Sequence, residues 1–163
     1  MAPNKNQPHV LVLPEDRANS QMANGFLLDP LLSSRTIQIL EEAGGWIEVL
    51  NRFESDHAGA MESYPRRFMV LLIDFDGHQE RLAQAKNRIP PDLAERVFIL
   101  GILTEPEDLK RNFGISYEKI GQAMAKDCRE ETDNVWGHAL LKNNAGELDR
   151  LRQRVRPILF PSI

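Results

Sequence analysis

Three stretches of this chain are apolar almost without interruption: His9-Val-Leu-Val-Leu13, Phe68-Met-Val-Leu-Leu-Ile73 and Val97-Phe-Ile-Leu-Gly-Ile-Leu103. A strand with one wet face alternates apolar and polar residues. A continuous run rich in β-branched side chains instead suits a parallel strand covered on both faces. A fourth segment, Trp46-Ile-Glu-Val-Leu50, alternates and follows the turn signal Gly44-Gly45, so it is expected as an edge strand. Helical spacing fills the gaps. Residues 34–43 place Ile37 and Leu40 inward with Gly44 as a C-cap, and further helices are expected over 78–87, 107–112, 117–129 and 147–155. Strands alternating with helices imply β-α-β crossovers. The expected fold is α/β: an open, mostly parallel, Rossmann-like sheet of about four or five strands, with helices on both faces.

At 163 residues the chain suits one domain with a real core. Residues 9–163 are read as that domain and residues 1–8 as a loose tail. No apolar run approaches the roughly 20 residues that span a bilayer, and the N-terminus lacks the apolar segment of a signal peptide. No membrane partner is therefore expected. The single cysteine, Cys128, excludes an intrachain disulfide and a multi-cysteine zinc site, and a reducing, cytoplasmic setting is expected. The formal charge of −4 argues against a broad nucleic-acid footprint. Arg150, Arg152, Arg154 and Arg156 could make a local basic face, but Leu148, Leu151 and Val155 at helical spacing favour a plain amphipathic helix.

Ligands of open parallel sheets bind beyond the carboxyl ends of the strands. The first apolar run leads to Glu15 and Asp16, the second to Asp74-Phe-Asp-Gly77, and the third to Thr104-Glu-Pro-Glu-Asp108. Every inner strand thus empties into carboxylates at one edge. Clustered carboxylates repel one another and resist ionising together. A hard cation relieves that cost, and oxygen donors are the preference of Mg²⁺. Asp74 and Asp76, two apart, would share a side in extended backbone, and Gly77 permits the turn that follows. Glu15, Asp74 and Asp76 are the candidate metal ligands, with Asp16, Glu105 and His78 in a supporting ring. The competing explanation is that such residues are helix N-caps. His57 and His138 show no ligand spacing with each other. Cys128 suits a buried small residue better than a nucleophile.

A glutamate just after the first strand, then a second strand, then Asp-x-Asp after the third, resembles the Toprim pattern of topoisomerases, bacterial primases and related nucleases. The matching residues are Glu15 in Val12-Leu-Pro-Glu15 and Asp74-Phe-Asp76 in Leu72-Ile-Asp-Phe-Asp-Gly77, and the resemblance covers roughly residues 9–112. It implies a Mg²⁺- or Mn²⁺-dependent nuclease or nucleotidyl-transfer site acting on DNA or RNA. Glu15 would be the general acid/base or a ligand, and Asp74 and Asp76 the metal ligands. Many Toprim domains carry glycine after this glutamate. Here Asp16 and Arg17 stand there instead, so weak or absent nuclease activity is expected of the isolated chain.

The same residues resemble two other families. A response-regulator receiver would use Glu15 and Asp16 as its acidic pair, Asp74 as phosphoacceptor and Thr104 at the next exit, although no lysine follows a later strand in the expected place. A haloacid-dehalogenase-type phosphatase would read Asp74-Phe-Asp76 as its nucleophile motif, but its later paired aspartates are missing. A non-catalytic interaction subunit, with another protein as partner and the acidic edge as surface charge, is the remaining alternative.

Overall fold

The computed structural model describes residues 2–162, and it contains one four-stranded sheet in the order β2-β1-β3-β4, every neighbouring pair parallel. The strands are β1 (His9–Pro14), β2 (Ile37–Ile39), β3 (Arg67–Leu72) and β4 (Val97–Leu100). The three continuous apolar runs are therefore the inner strands and β4, as their composition requires. Among the described residues no helix is long and apolar enough to cross a membrane.

Alternation along the strands divides the core in two. Leu11, Leu13, Met69, Leu71, Ile73 and Ile99 point to one face, where α2 (Trp46–Arg52), α3 (Ala58–Ser63) and α4 (Arg81–Asn87) cover them with Val49, Leu50, Met61 and Ala85. Val10, Val12, Val70, Phe98 and Leu100 point to the other. There α1 (Arg17–Phe26), α6 (Tyr117–Glu130) and α7 (Ala145–Arg154) supply Ala23, Ala125, Cys128 and Leu151. A third cluster ties α5 (Pro106–Phe113) to α6 through Leu109, Ile120 and Met124, and α8 (Arg156–Leu159) closes the chain.

Two local expectations are corrected, and they exchange places. Residues 34–43 are not a helix. They hold β2, which pairs Ile37 with Val10 and Ile39 with Val12. The Ile37/Leu40 spacing imitated a helical stripe, but Ile37 and Ile39 share one face of a short edge strand while Leu40 packs in the other layer, and pairing with β1 outweighs the local pattern. Trp46–Leu50 is not a strand. It lies in α2, where Val49, Leu50 and the following Phe53 form the buried stripe, and residues 53–57 continue as a π-helical turn. Gly44 and Gly45 lead into that helix instead of following one. The short α1, which the sequence pattern did not suggest, starts at Asp16. The Asp16 carboxylate caps it by accepting the Asn19 amide at 2.9 Å.

The outer edge of β4 and the segment that follows it are sealed by two side chains and a backbone carbonyl. Glu147 accepts the Ile99 amide at 2.9 Å, Asn144 accepts the Gly101 amide at 2.9 Å, and the Leu140 carbonyl accepts the Leu103 amide at 2.8 Å. Glu147 is buried between Lys86 at 2.9 Å and Arg150 at 2.7 Å. These bonds hold its carboxyl below the usual range against the cost of burial. Glu147→Ala would leave a buried strand amide and two cations without their partner. A loss of about 2–4 kcal/mol is expected in chemical denaturation at neutral pH, and a loss below about 0.5 kcal/mol would show that the edge is not held this way.

Candidate functional site

The chain moves one way across the sheet from β1 to β2 and the other way from β3 to β4. Helices consequently lie on opposite faces, and a crevice opens where β1 and β3 end side by side. Glu15 and Asp74 stand at those two ends. The Glu15 backbone amide extends the ladder to the Leu72 carbonyl at 2.9 Å, and its carboxylate reaches across to accept the Asp74 amide at 2.5 Å. Asn19, in the first turn of α1, donates its side-chain amide to Asp16 at 2.9 Å and to Asp74 at 3.1 Å. One neutral amide thus holds two carboxylates together. Glu15, Asn19 and Asp74 are all buried.

This grouping is electrostatically costly. Burial pushes the Asp74 carboxyl up to about 8, the Asn19 hydrogen bond opposes the rise, and the charges of Asp16 and Glu15 add to it. Burial likewise raises Glu15; the Asp74 amide and Arg81 pull it back, and Asp16 and Asp76 push it further up. The phenol of Tyr117 is raised by burial and by the field of Glu107, Asp16, Asp74 and Glu105, so its hydroxyl belongs to the same negative edge. At neutral pH, Asp74 keeps its proton.

Asp76 does not point with Asp74. Its backbone is left-handed at φ 49°, and Gly77 follows at φ 76°, so the extended geometry expected of Asp-x-Asp ends at Phe75. The amides of Asp76 and Gly77 bond to the carbonyls of Thr104 and Leu103 at 3.0 and 2.8 Å, and these contacts hold the turn in place. The Asp76 carboxylate instead pairs with Arg81 at 2.9 Å. Arg81 also donates to the Asp74 carbonyl at 2.7 Å, and its guanidinium lies 4.5 Å over the ring of Trp46.

The remaining expected residues take other roles. Asp16 is the cap of α1, and Glu105 precedes α5 as an exposed N-terminal residue. His78 is exposed and lies 3.5 Å from Glu80. His138 faces inward to its own turn, accepting the Leu140 amide at 3.0 Å. Burial pushes the Cys128 thiol up to about 11, so it is no nucleophile. The C-terminal arginines are committed within the fold: Arg150 to Glu147, Arg152 to Asp133, and Arg156 to the carbonyls of Cys128 and Arg129, while Arg154 lies over Phe68.

Sequence reasoning missed Asn19, Arg81, Trp46 and Glu42. Glu42 accepts a hydrogen bond from Ser20 at 3.0 Å, and the Gly44 amide reaches the Glu15 carbonyl at 2.8 Å, so the loop after β2 rims the crevice. Asn19 could have been found as the third helical residue after a capping aspartate. Arg81 carries no signal beyond its position five residues past Asp76.

The donors here are all oxygen and their charge is poorly neutralised, which fits a hard cation completing its shell with water. Among the described residues, no three His, Cys, Asp or Glu side chains already form a cage, because Asp76 is drawn off to Arg81. Compared with protein-family models, curated proteins and solved structures, the chain matches none.

Proposed function

We propose that this chain is a Mg²⁺-dependent, Toprim-like phosphoryl-transfer domain acting on nucleic acid, with low intrinsic nuclease activity. The observation that carries this reading is the Glu15–Asp16–Asp74 grouping at the switch point, with Glu15 and Asp74 buried and Asp74 held near 8. A structural cap has no need of two further carboxylates against it. Asp74, Asp76 and Glu15 would hold the cation, which when bound would neutralise charge on a phosphate oxygen. Glu15, on a rigid strand end, would give or take the proton of the attacking or leaving oxygen. Burial raises its pKa above the ordinary glutamate value, the direction that favours proton transfer. Asn19 would keep Asp16 and Asp74 in register throughout. The acidic rim and the committed arginines support weak retention of a nucleic-acid strand.

The test compares Mn²⁺- or Mg²⁺-dependent nicking of DNA and RNA by the native chain and by Glu15→Gln. The amide oxygen of glutamine can still accept the Asp74 amide, so the fold is kept. Activity is expected to fall by about 10²- to 10⁴-fold while the metal-induced rise in melting temperature stays. An unchanged rate would remove Glu15 from the chemistry. A receiver-like reading is favoured by one observation: the Thr104 hydroxyl, at the exit after β4, is buried without a partner. On that reading acetyl phosphate would modify Asp74, nucleic acid would remain intact, and Glu15→Gln would abolish the metal response.

A further inference from the structure

We propose that Arg81 and Trp46 form a phosphate-binding subsite whose resting occupant is the carboxylate of Asp76. This deepens the phosphoryl-transfer reading and rests on it for the ligand's role. The guanidinium is fixed by two contacts independent of Asp76: the Asp74 carbonyl at 2.7 Å and the face of Trp46 at 4.5 Å. The Arg81 side chain is only 11% exposed, whereas that of Asp76 is 50% exposed and sits on a turn. The arginine is therefore the post and the aspartate the movable partner.

An arginine has five N–H donors. Here a single nitrogen, Nη1, makes both hydrogen bonds, and no other N–H of this guanidinium is buried without a partner. The other donors of the fork remain available to a second anion, and the planar fork matches two oxygens of a phosphate. Arg81 is also a cation whose charge lowers Glu15, so it brings positive charge to the acidic crevice. A phosphate entering here would meet carboxylate repulsion unless Asp76 first left the guanidinium. Drawing Asp76 towards a divalent cation does this, so cation and phosphate should bind cooperatively. The ligand class is a phosphate ester or pyrophosphate, recognised through two non-bridging oxygens.

The experiment measures inorganic pyrophosphate binding by calorimetry, in EDTA and then in Mg²⁺, for the native chain and its variants. In EDTA the native chain should bind weakly, because Asp76 occupies the subsite. Asp76→Asn should bind about tenfold tighter or more without any metal. Asparagine tolerates the left-handed backbone, so this variant folds. Adding Arg81→Lys to Asp76→Asn should erase the gain, since the ammonium keeps the charge but loses the fork. Arg81→Gln alone should strengthen Mg²⁺ binding several-fold by freeing Asp76. Glu80→Gln, which removes a charge from the neighbouring residue, should change pyrophosphate affinity less than about twofold. The subsite is overturned if Asp76→Asn binds no tighter than the native chain, if the lysine variant keeps the gain, or if Glu80→Gln matches it. The EDTA arm contains no metal, so its result stands whether or not Mg²⁺ binding is found.

Discussion

Asp74→Asn is expected to stabilise the protein at alkaline pH and to leave it almost unchanged in acid. The native Asp74 carboxyl titrates near 8, well above an ordinary aspartate, because it is buried beside Asp16 and Glu15. A carboxyl with a raised folded-state pKa binds its proton more tightly folded than unfolded. Its favourable contribution is complete below about pH 4 and is lost as pH rises through about 8, where the folded state must carry the buried charge. Every tenfold gain in proton affinity on folding corresponds to about 1.4 kcal/mol. Because Glu15 beside it is raised as well, the expected gain for the variant at pH 9 is on the order of 3–5 kcal/mol, less than an aspartate titrating alone at that pH would give. The native melting temperature should fall from pH 5 to pH 9, and that of Asp74→Asn should stay much flatter. Asparagine keeps an oxygen to accept from Asn19 and gains a donor to offer Asp16. Mg²⁺ should restore the native chain at pH 9 and do far less for the variant, since a cation neutralises the buried charge that Asp74 carries there. A variant less stable than the native chain at pH 9 would mean that Asp74 is ionised and well compensated.

Gly121→Ala is expected to cost at least about 3 kcal/mol and to leave little folded protein at 37 °C. Helices α1 and α6 cross at Gly25 and Gly121, with backbone against backbone. A Cβ on Gly121 would fall onto the Met22 carbonyl and within 2.9 Å of the Phe26 amide, and one on Gly25 would fall onto the carbonyl of Glu118. These are main-chain atoms, so relief requires the helices to separate. Moving α1 also moves Asp16 and Asn19, so any residual folded fraction should show a weakened metal response. Gly146→Ala is the contrasting case. That glycine lies in α7 with nothing within 4 Å of an added Cβ, and a gain of about 0.5–1 kcal/mol is expected from helix propensity alone. Chemical denaturation of the two variants side by side decides the matter. Equal small effects would mean that α1 and α6 are not in backbone contact.

The legible part of this protein was the part written in long-range burial. A run such as Phe68–Ile73 is apolar on both faces because a parallel strand between two helical layers has no wet side, and this needs no knowledge of its partners. Carboxylates at the exits of β1 and β3 were legible for the same reason, since strand ends in an open sheet must meet at one edge. The segments misread were those where local pattern and tertiary pairing disagree. Ile37–Ile39 is three residues long, too short for a period to declare itself, and pairing with β1 made it a strand. Trp46–Leu50 alternates like a strand, yet Val49 and Leu50 both face the core because Phe53 continues the same helical stripe.

Hydrophobic periodicity and strand polarity are properties of the chain alone, and they suffice to specify an α/β sheet with Glu15, Asp16 and Asp74 at one edge. Which of those charges are neutralised depends on the packing in three dimensions. Asp74 and Asp76 are chemically equivalent in sequence and two residues apart. One is buried against Glu15 and Asp16 and holds its proton, and the other turns away at φ 49° onto Arg81. That difference depends on where α4 places a guanidinium and on how the loop after β4 pins the turn, and distances across the fold set both. Coulomb energies change over a few ångströms, whereas sequence spacing records only the order in which charges occur.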